Sequence, residues 1–396
     1  MARRFGRSSQ IVYFSYVQRR GARVNVLVVG GGNIGTALAC HIKQSNLCHN
    51  VRLLVRNSER FADAIVLKDI ERKTTVRVVL DAISSHPEEA AAGAEIVFVC
   101  LPHFAVERAF YDIEPYVVDG CLVGVIPGSG GCEFYFDRVF HGRARLFGFQ
   151  RVPFVARLEE YGRIAQILSW KPYCVLGTLR KGDLEPACTS VESCGLALER
   201  ADNYLAISLA PSNPVIHTAC AYGMFNGHSP HEIYPRVKRL YEEWGDAESS
   251  IMIAMDEELH ALFGYIHELD MSSVRPLTEH YESPDAPSLT RKILSIPSFQ
   301  DLLSPMKPVD GGATADLSSR MFTEDFPFGL ALIRGFGEIY QIEMPVIDRV
   351  LGWYSAWVHA DYYEENAFVG AGLARTGIPQ NYGICHPSQV VELYAQ

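Results

Sequence analysis

A short apolar run, Val24-Asn25-Val26-Leu27-Val28-Val29, stops at Gly30. A run of that length closed by glycine predicts a strand buried on both faces, the kind found inside parallel sheets. Three more such runs follow: Val51 to Val55, Ile96 to Leu101 closed by Pro102, and Leu122 to Ile126 ahead of Pro127-Gly128-Ser129-Gly130-Gly131. Thr36 to Lys43, between the first two, has helical character. Strand, helix and strand alternate, so the first half is expected to be α/β with a parallel sheet.

After about Leu209 the period changes. Ile251, Met255, Leu259, Leu262, Phe263 and Ile266 recur at three- and four-residue steps between Asp246 and Leu269, one face of a long amphipathic helix. Asp256, Glu257 and Glu258 on that helix read as a solvated face. Phe328 to Ile342 and Val346 to Val358 also read as helices, with Pro327 and Pro345 as first-turn prolines. The expected division is an α/β domain over 24–200 and an all-α domain over 201–396. Residues 1–23 carry Arg3, Arg4, Arg7, Arg19, Arg20 and Arg23 and no acid, and read as a flexible basic extension.

Composition narrows the function. The chain has 396 residues, more than one hydrophobic core usually serves. Lys plus Arg is 36 against 46 Asp plus Glu, a net charge of −10, so neither nucleic acid nor an anionic membrane is an expected partner. No apolar run approaches the roughly 18 residues of a membrane span. The ten cysteines show no C-x-x-C spacing, which argues against a structural metal and fits a reducing cytoplasm.

The first strand runs into Gly30-Gly31-Gly32-Asn33-Ile34-Gly35 and then a helix. Gly30, Gly32 and Gly35 in this context form the Rossmann fingerprint: a tight turn, close backbone approach to a pyrophosphate, and free N–H groups at a helix start, Asn33 and Ile34 included. At the end of the second strand, where an NAD site usually has an acid, stand Arg56 and Asn57. A forked cation suits a 2′-phosphate, so NADP is the expected cofactor, with NAD as the alternative. Pro102 closes the third strand at the ligand-binding edge, beside His103.

Two further fragments carry chemistry. In Ser212-Asn213-Pro214-Val215-Ile216-His217, Asn213 suits an N-cap and Pro214 a first helical position, placing His217 in the first turn. Arg320 through Asp325 precedes Pro327, so Asp325 is expected just ahead of another helix. An ionised Asp can orient an imidazole and support its protonated form. Each residue taken alone is equally a helix cap, and sequence by itself does not bring them together.

With these pieces in order, the chain resembles the opine dehydrogenases of the octopine/nopaline dehydrogenase family from about Val24 to Tyr382. The likeness rests on the glycine loop, on Gln150-Arg151-Val152-Pro153-Phe154-Val155-Ala156-Arg157 with Tyr161-Gly162-Arg163, on Asn213 to His217, and on Arg320 to Gly329. The resemblance implies a Rossmann domain followed by a helical one, and NAD(P)H-dependent reductive condensation of an amino acid with a pyruvate-like 2-oxo acid through an imine. It implies His217 as acid/base, Asp325 as its orienting carboxylate, and Arg320 with Asn213 in the substrate site. A homodimer is a further expectation. Thr218 departs from the proline that family members often carry after the histidine. The alternatives are an NADP-dependent reductase of a 2-oxo acid that uses no amine, and a non-catalytic nucleotide sensor.

Overall fold

The computed structural model describes residues 24–45 and 49–396; the expected basic extension lies outside them. Among the described residues the first half holds twelve strands, with helices between them. The strands are β1 (Asn25–Val29), β2 (Asn50–Leu54), β3 (Ile65–Asp69), β4 (Thr74–Val78), β5 (Ala82–Ser84), β6 (Ile96–Val99), β7 (Cys121–Val125), β8 (Ala144–Phe149), β9 (Phe154–Glu160), β10 (Ile164–Trp170), β11 (Cys174–Thr178) and β12 (Leu198–Arg200). Eight of them form one sheet in the order β12-β11-β8-β7-β6-β1-β2-β5. From β5 to β8 every pairing is parallel. This is the doubly wound order 3-2-1-4-5-6, whose direction reverses between β1 and β6. Val29 pairs with both Leu54 and Val99, so Gly30, Val55 and Cys100 emerge side by side at the carboxyl edge.

Sequence periodicity did not foretell a second sheet, β4-β3-β10-β9. It lies against helix Asn33–Ser45 through an edge-on cluster of His41, Phe154 and Trp170. Asn33 fastens it to the glycine loop, its Oδ1 accepting from the Leu158 amide at 3.0 Å.

The second half is helical apart from two short hairpins, β13 (Met306–Val309) with β14 (Gly312–Ala315) and β15 (Tyr363–Glu364) with β16 (Ala367–Phe368). One core runs from the sheet face beneath Phe110 and Phe136, through Tyr204, to Phe225, Phe322 and Phe336 of the helical half, so the two halves share buried surface. A second cluster, including Val26, Leu38, Phe98 and Phe147, fills the other face of the sheet. Among the described residues no helix is long and apolar enough to cross a membrane.

Three local expectations need correction. The long amphipathic helix is Asp246–Phe263, and Gly264 ends it, so Ile266 is buried from the following turn. Asp256 and Glu258 are not a solvated face. Asp256 is buried and accepts from the Leu277 amide at 2.6 Å, while Glu258 accepts from the Val346 and Ile347 amides at 2.7 and 2.9 Å. Both carboxylates satisfy the unpaired first N–H groups of neighbouring helices. Pro327 starts no helix: it lies inside a π-helical stretch, Met321–Leu330, that runs straight into helix Ala331–Ile339. A widened turn tolerates a residue that lacks an N–H, and such turns recur at functional sites.

Candidate active site

The glycine loop takes the shape its composition requires. Gly30 has φ +114°, and a Cβ there would sit 2.6 Å from the Cys100 carbonyl oxygen. A Cβ on Gly35 would collide with the Gly30 carbonyl, so this glycine lets helix and strand close on each other. Gly32 differs: a Cβ there would meet nothing within 4 Å. Its glycine is therefore not explained by protein packing, and it faces open space at a helix start. The helix carries no acid in its first turn, and Thr36 donates to Gly32 O at 3.1 Å, so the amides of Asn33, Ile34 and Gly35 precede its own ladder. These residues fit a dinucleotide pyrophosphate.

Gly32, Asn33 and Ile34 line a cavity of about 460 Å³. Its far wall contains Asn213, His217, Arg320, Glu324 and Asp325. Helix Ser212–Phe225 supplies His217 from its second turn rather than its first, because the helix begins before Asn213 and Pro211 holds the cap. Asp325 comes from the π-helical stretch. The two helices approach closely where Pro214 lies against Gly329, at which a Cβ would come within 2.8 Å of the proline ring. That approach brings His217 Nδ1 to 2.7 Å from Asp325 Oδ2, with the side chains 23% and 11% exposed. Thr218, the departure from the family pattern, turns its hydroxyl back to the Pro214 carbonyl at 2.5 Å.

Glu324, next to Asp325, serves other partners. It binds Arg320 Nε at 2.5 Å and accepts from the His103 amide at 3.3 Å, tying the loop after β6 to the helical half. Burial opposes its charge, but the His103 ring, the Arg320 guanidinium and the His103 amide outweigh burial and hold its carboxyl below the ordinary value. Burial pushes the His103 ring down, against the pull of the Glu324 carboxylate 3.8 Å from its Nε2. Arg320 reaches the cavity with one edge of its fork already engaged.

Not every expected residue meets there. Cys100 and Leu101 line the cavity, while Pro102 stands one step beyond, at the cap of helix His103–Ile113. Arg56 and Asn57 are exposed past the end of β2, outside this cavity. Among the described residues Arg56 has no charged partner. Sequence reasoning assigned no role to Arg157. It lines the cavity from β9, and among the described residues its guanidinium bonds only the adjacent Ala156 carbonyl, at 3.0 Å. The signal was present in the Pro153 to Arg157 fragment, but the fragment reads as chemistry only once β9 is seen to flank the glycine loop. No cluster of described residues could hold a metal ion.

With the dinucleotide crevice of the sheet and the imidazole–carboxylate pair of the helical half opening on one space, the chain falls among the two-domain NAD(P)-dependent oxidoreductases. Residues 25–127 match the NAD-dependent glycerol-3-phosphate dehydrogenase N-terminus, and residues 200–358 match the NAD/NADP octopine/nopaline dehydrogenase alpha-helical domain. The helical half thus matches the octopine/nopaline dehydrogenase family. It is 25% identical to octopine dehydrogenase of Pecten maximus, over 91% of this chain and 96% of that protein. It is also 25% identical to tauropine dehydrogenase of Arabella iricolor, over 91% and 98%. An octopine dehydrogenase structure with NADH and L-arginine superposes with a TM-score of 0.77 at 24% identity, covering 93% of this chain and 97% of that one.

Proposed function

We propose that the protein is an opine dehydrogenase, condensing the amino group of an amino acid with a 2-oxo acid and reducing the resulting imine. The observation that carries this reading is the 2.7 Å His217–Asp325 pair in the wall of the glycine-loop cavity. A reductase site needs a proton donor within reach of the carbon that receives hydride, and His217 in the cavity wall is the candidate for it.

The amides that open helix Asn33–Ser45 hold the dinucleotide pyrophosphate, and NADP is favoured over NAD because Arg56, exposed and without a charged partner among the described residues, stands where an acid would otherwise be. The bound dinucleotide supplies the hydride. Asp325 occupies Nδ1 of His217, which leaves Nε2 to face the substrate. A protonated His217 donates to the carbonyl-derived oxygen while the imine forms, and it manages the proton at the new amine. Asp325 keeps the ring oriented and supports its cationic form. Arg157 and the free edge of Arg320 bind substrate carboxylates, with Asn213 beside them.

The test is a matrix of amino acids against 2-oxo acids, following NADPH and NADH absorbance in parallel, with His217→Ala as control. Turnover should require both substrates, and His217→Ala should lose about 10²–10⁴-fold in kcat while still binding dinucleotide. Turnover with a 2-oxo acid alone, unaffected by amino acids, overturns the reading in favour of a simple reductase.

A further inference from the structure

We propose that the substrate cavity carries a second anion subsite, built from Arg151 and Lys171, that selects a substrate bearing an extra carboxylate. The inference rests on the proposed condensation and specifies its substrate class.

Beyond His217 the cavity opens into a neighbouring space of about 530 Å³ that shares Arg157, Asn213 and His217 with it. Arg151, Lys171, His280 and Lys292 line the far part of this space. Arg151, Lys171 and His280 also line an adjoining recess of about 160 Å³. Two cations of the region are already matched: Lys292 pairs with Glu282 at 3.1 Å, and Arg275 with Glu199 at 3.7 Å. Arg151 and Lys171 are not, and among the described residues no carboxylate lies within ion-pair reach of either.

The surroundings of these two cations supply little compensation. Arg151 donates from Nη1 to His280 Nε2. Burial, followed by the charges of Arg151 and Lys171, pushes the His280 imidazole down to about 3, so it is a neutral acceptor. Asp256 is the acid whose field reaches Arg151, but its Oδ2 already accepts from the Leu277 amide. Burial, and then the neighbouring Arg151, pull the Lys171 ammonium below its ordinary value. Two half-buried, unmatched cations on one cavity wall cost free energy in the empty protein, and an anion arriving there recovers it. A monocarboxylic substrate has one acid group, and Arg157 beside His217 is placed to take it. A carboxylate at the far end of the same molecule is the group that reaches Arg151 and Lys171. It can belong to the amino acid side chain or to a 2-oxo dicarboxylate.

The experiment is steady-state kinetics on the wild type, Lys171→Met, Arg151→Met and Arg151→Lys in two arms. One arm compares 2-oxoglutarate and oxaloacetate with pyruvate. The other compares glutamate and aspartate with alanine. One arm should show a dicarboxylic preference of about 10- to 100-fold in kcat/KM, the range of a charged hydrogen bond. Lys171→Met and Arg151→Met should erase that preference through KM, with kcat changed less than about threefold, and Arg151→Lys should restore part of it. Monocarboxylic preference in both arms, or a preference that survives Lys171→Met, overturns the subsite. Absence of turnover with every pair overturns the condensation instead. The subsite is then read by fluorescence titration of the dinucleotide-loaded protein with 2-oxoglutarate and, separately, with glutamate, where saturable binding of either one weakened by Lys171→Met upholds it, and binding of neither, or binding that Lys171→Met leaves unchanged, overturns it.

Discussion

Replacing Asp325 with Asn isolates the charge of the His–Asp pair from its shape. Asn has nearly the same volume and can accept from the same ring N–H, so His217 keeps its orientation and tautomer. What disappears is the anion 2.7 Å from Nδ1, in a pair whose side chains are 23% and 11% exposed. Charge-assisted hydrogen bonds are worth about 1.5–3 kcal/mol, and the partial burial of this pair places it within that range rather than below it. At about 1.4 kcal/mol per decade, kcat should fall about 10- to 150-fold. Glu324 cannot stand in, because Arg320 and the His103 amide already hold it. Initial rates from NAD(P)H absorbance give kcat, and fluorescence titration gives the dinucleotide Kd. That Kd should stay within about twofold of wild type, since no group of the glycine loop changes. A kcat within threefold of wild type would refute a role for the Asp325 charge in catalysis. A weakened Kd that accounts for the entire loss would show that the pair acts on cofactor binding instead.

Two further predictions separate packing from ligand binding. Gly32→Ala should leave the melting temperature nearly unchanged, because its Cβ meets no protein atom, yet weaken dinucleotide binding at least about tenfold, whereas Gly35→Ala should destabilise the fold itself by driving a methyl into the Gly30 carbonyl. Equal melting temperatures for the two variants would contradict this. Glu133 is buried, accepts from Ser208 and from the Tyr394 hydroxyl at 2.8 Å, and is pushed by burial from 4.5 to about 7. The folded chain therefore keeps a proton that the unfolded chain releases. Stability from this group is complete below about pH 4.5 and is lost as pH rises to about 7, by at most about 3 kcal/mol. Urea melts should show that slope in the wild type and a flatter one in Glu133→Gln; parallel pH profiles would refute it.

The glycine loop was legible because its requirements are local. A strand, a positive-φ turn and a helix start are written in consecutive residues, and the structure shows Gly30 at φ +114° and Gly35 beneath its carbonyl as that chemistry demands. Helix starts were less legible. Pro214 suggested a first helical position and Pro327 a first turn; Pro214 is instead the third residue of its helix, and Pro327 starts none. Packing extended one helix upstream to Ser212, and the other begins at Met321 with a π-helical turn that no propensity signals. Asp256 and Glu258 looked solvated because charge on a helix usually is. Asp256 is buried and Glu258 half-buried, each against amides of Leu277, Val346 and Ile347, distant in sequence, that need acceptors.

The sequence by itself determined the parallel sheet, the helical half and the glycine loop, since each follows from periodicity or from turn chemistry spanning a few residues. Tertiary structure decided which side chains meet. His217 and Asp325 are 108 residues apart and touch because Pro214 and Gly329 let two helices close together. Arg157 belongs with them because an unforeseen sheet lies against the glycine loop. Among the described residues Arg151 and Lys171 have no carboxylate in ion-pair reach, because Glu282 and Glu199 pair with Lys292 and Arg275 instead. Local pattern encodes conformation, while the distances that set hydrogen bonding and charge compensation arise only when separate segments pack.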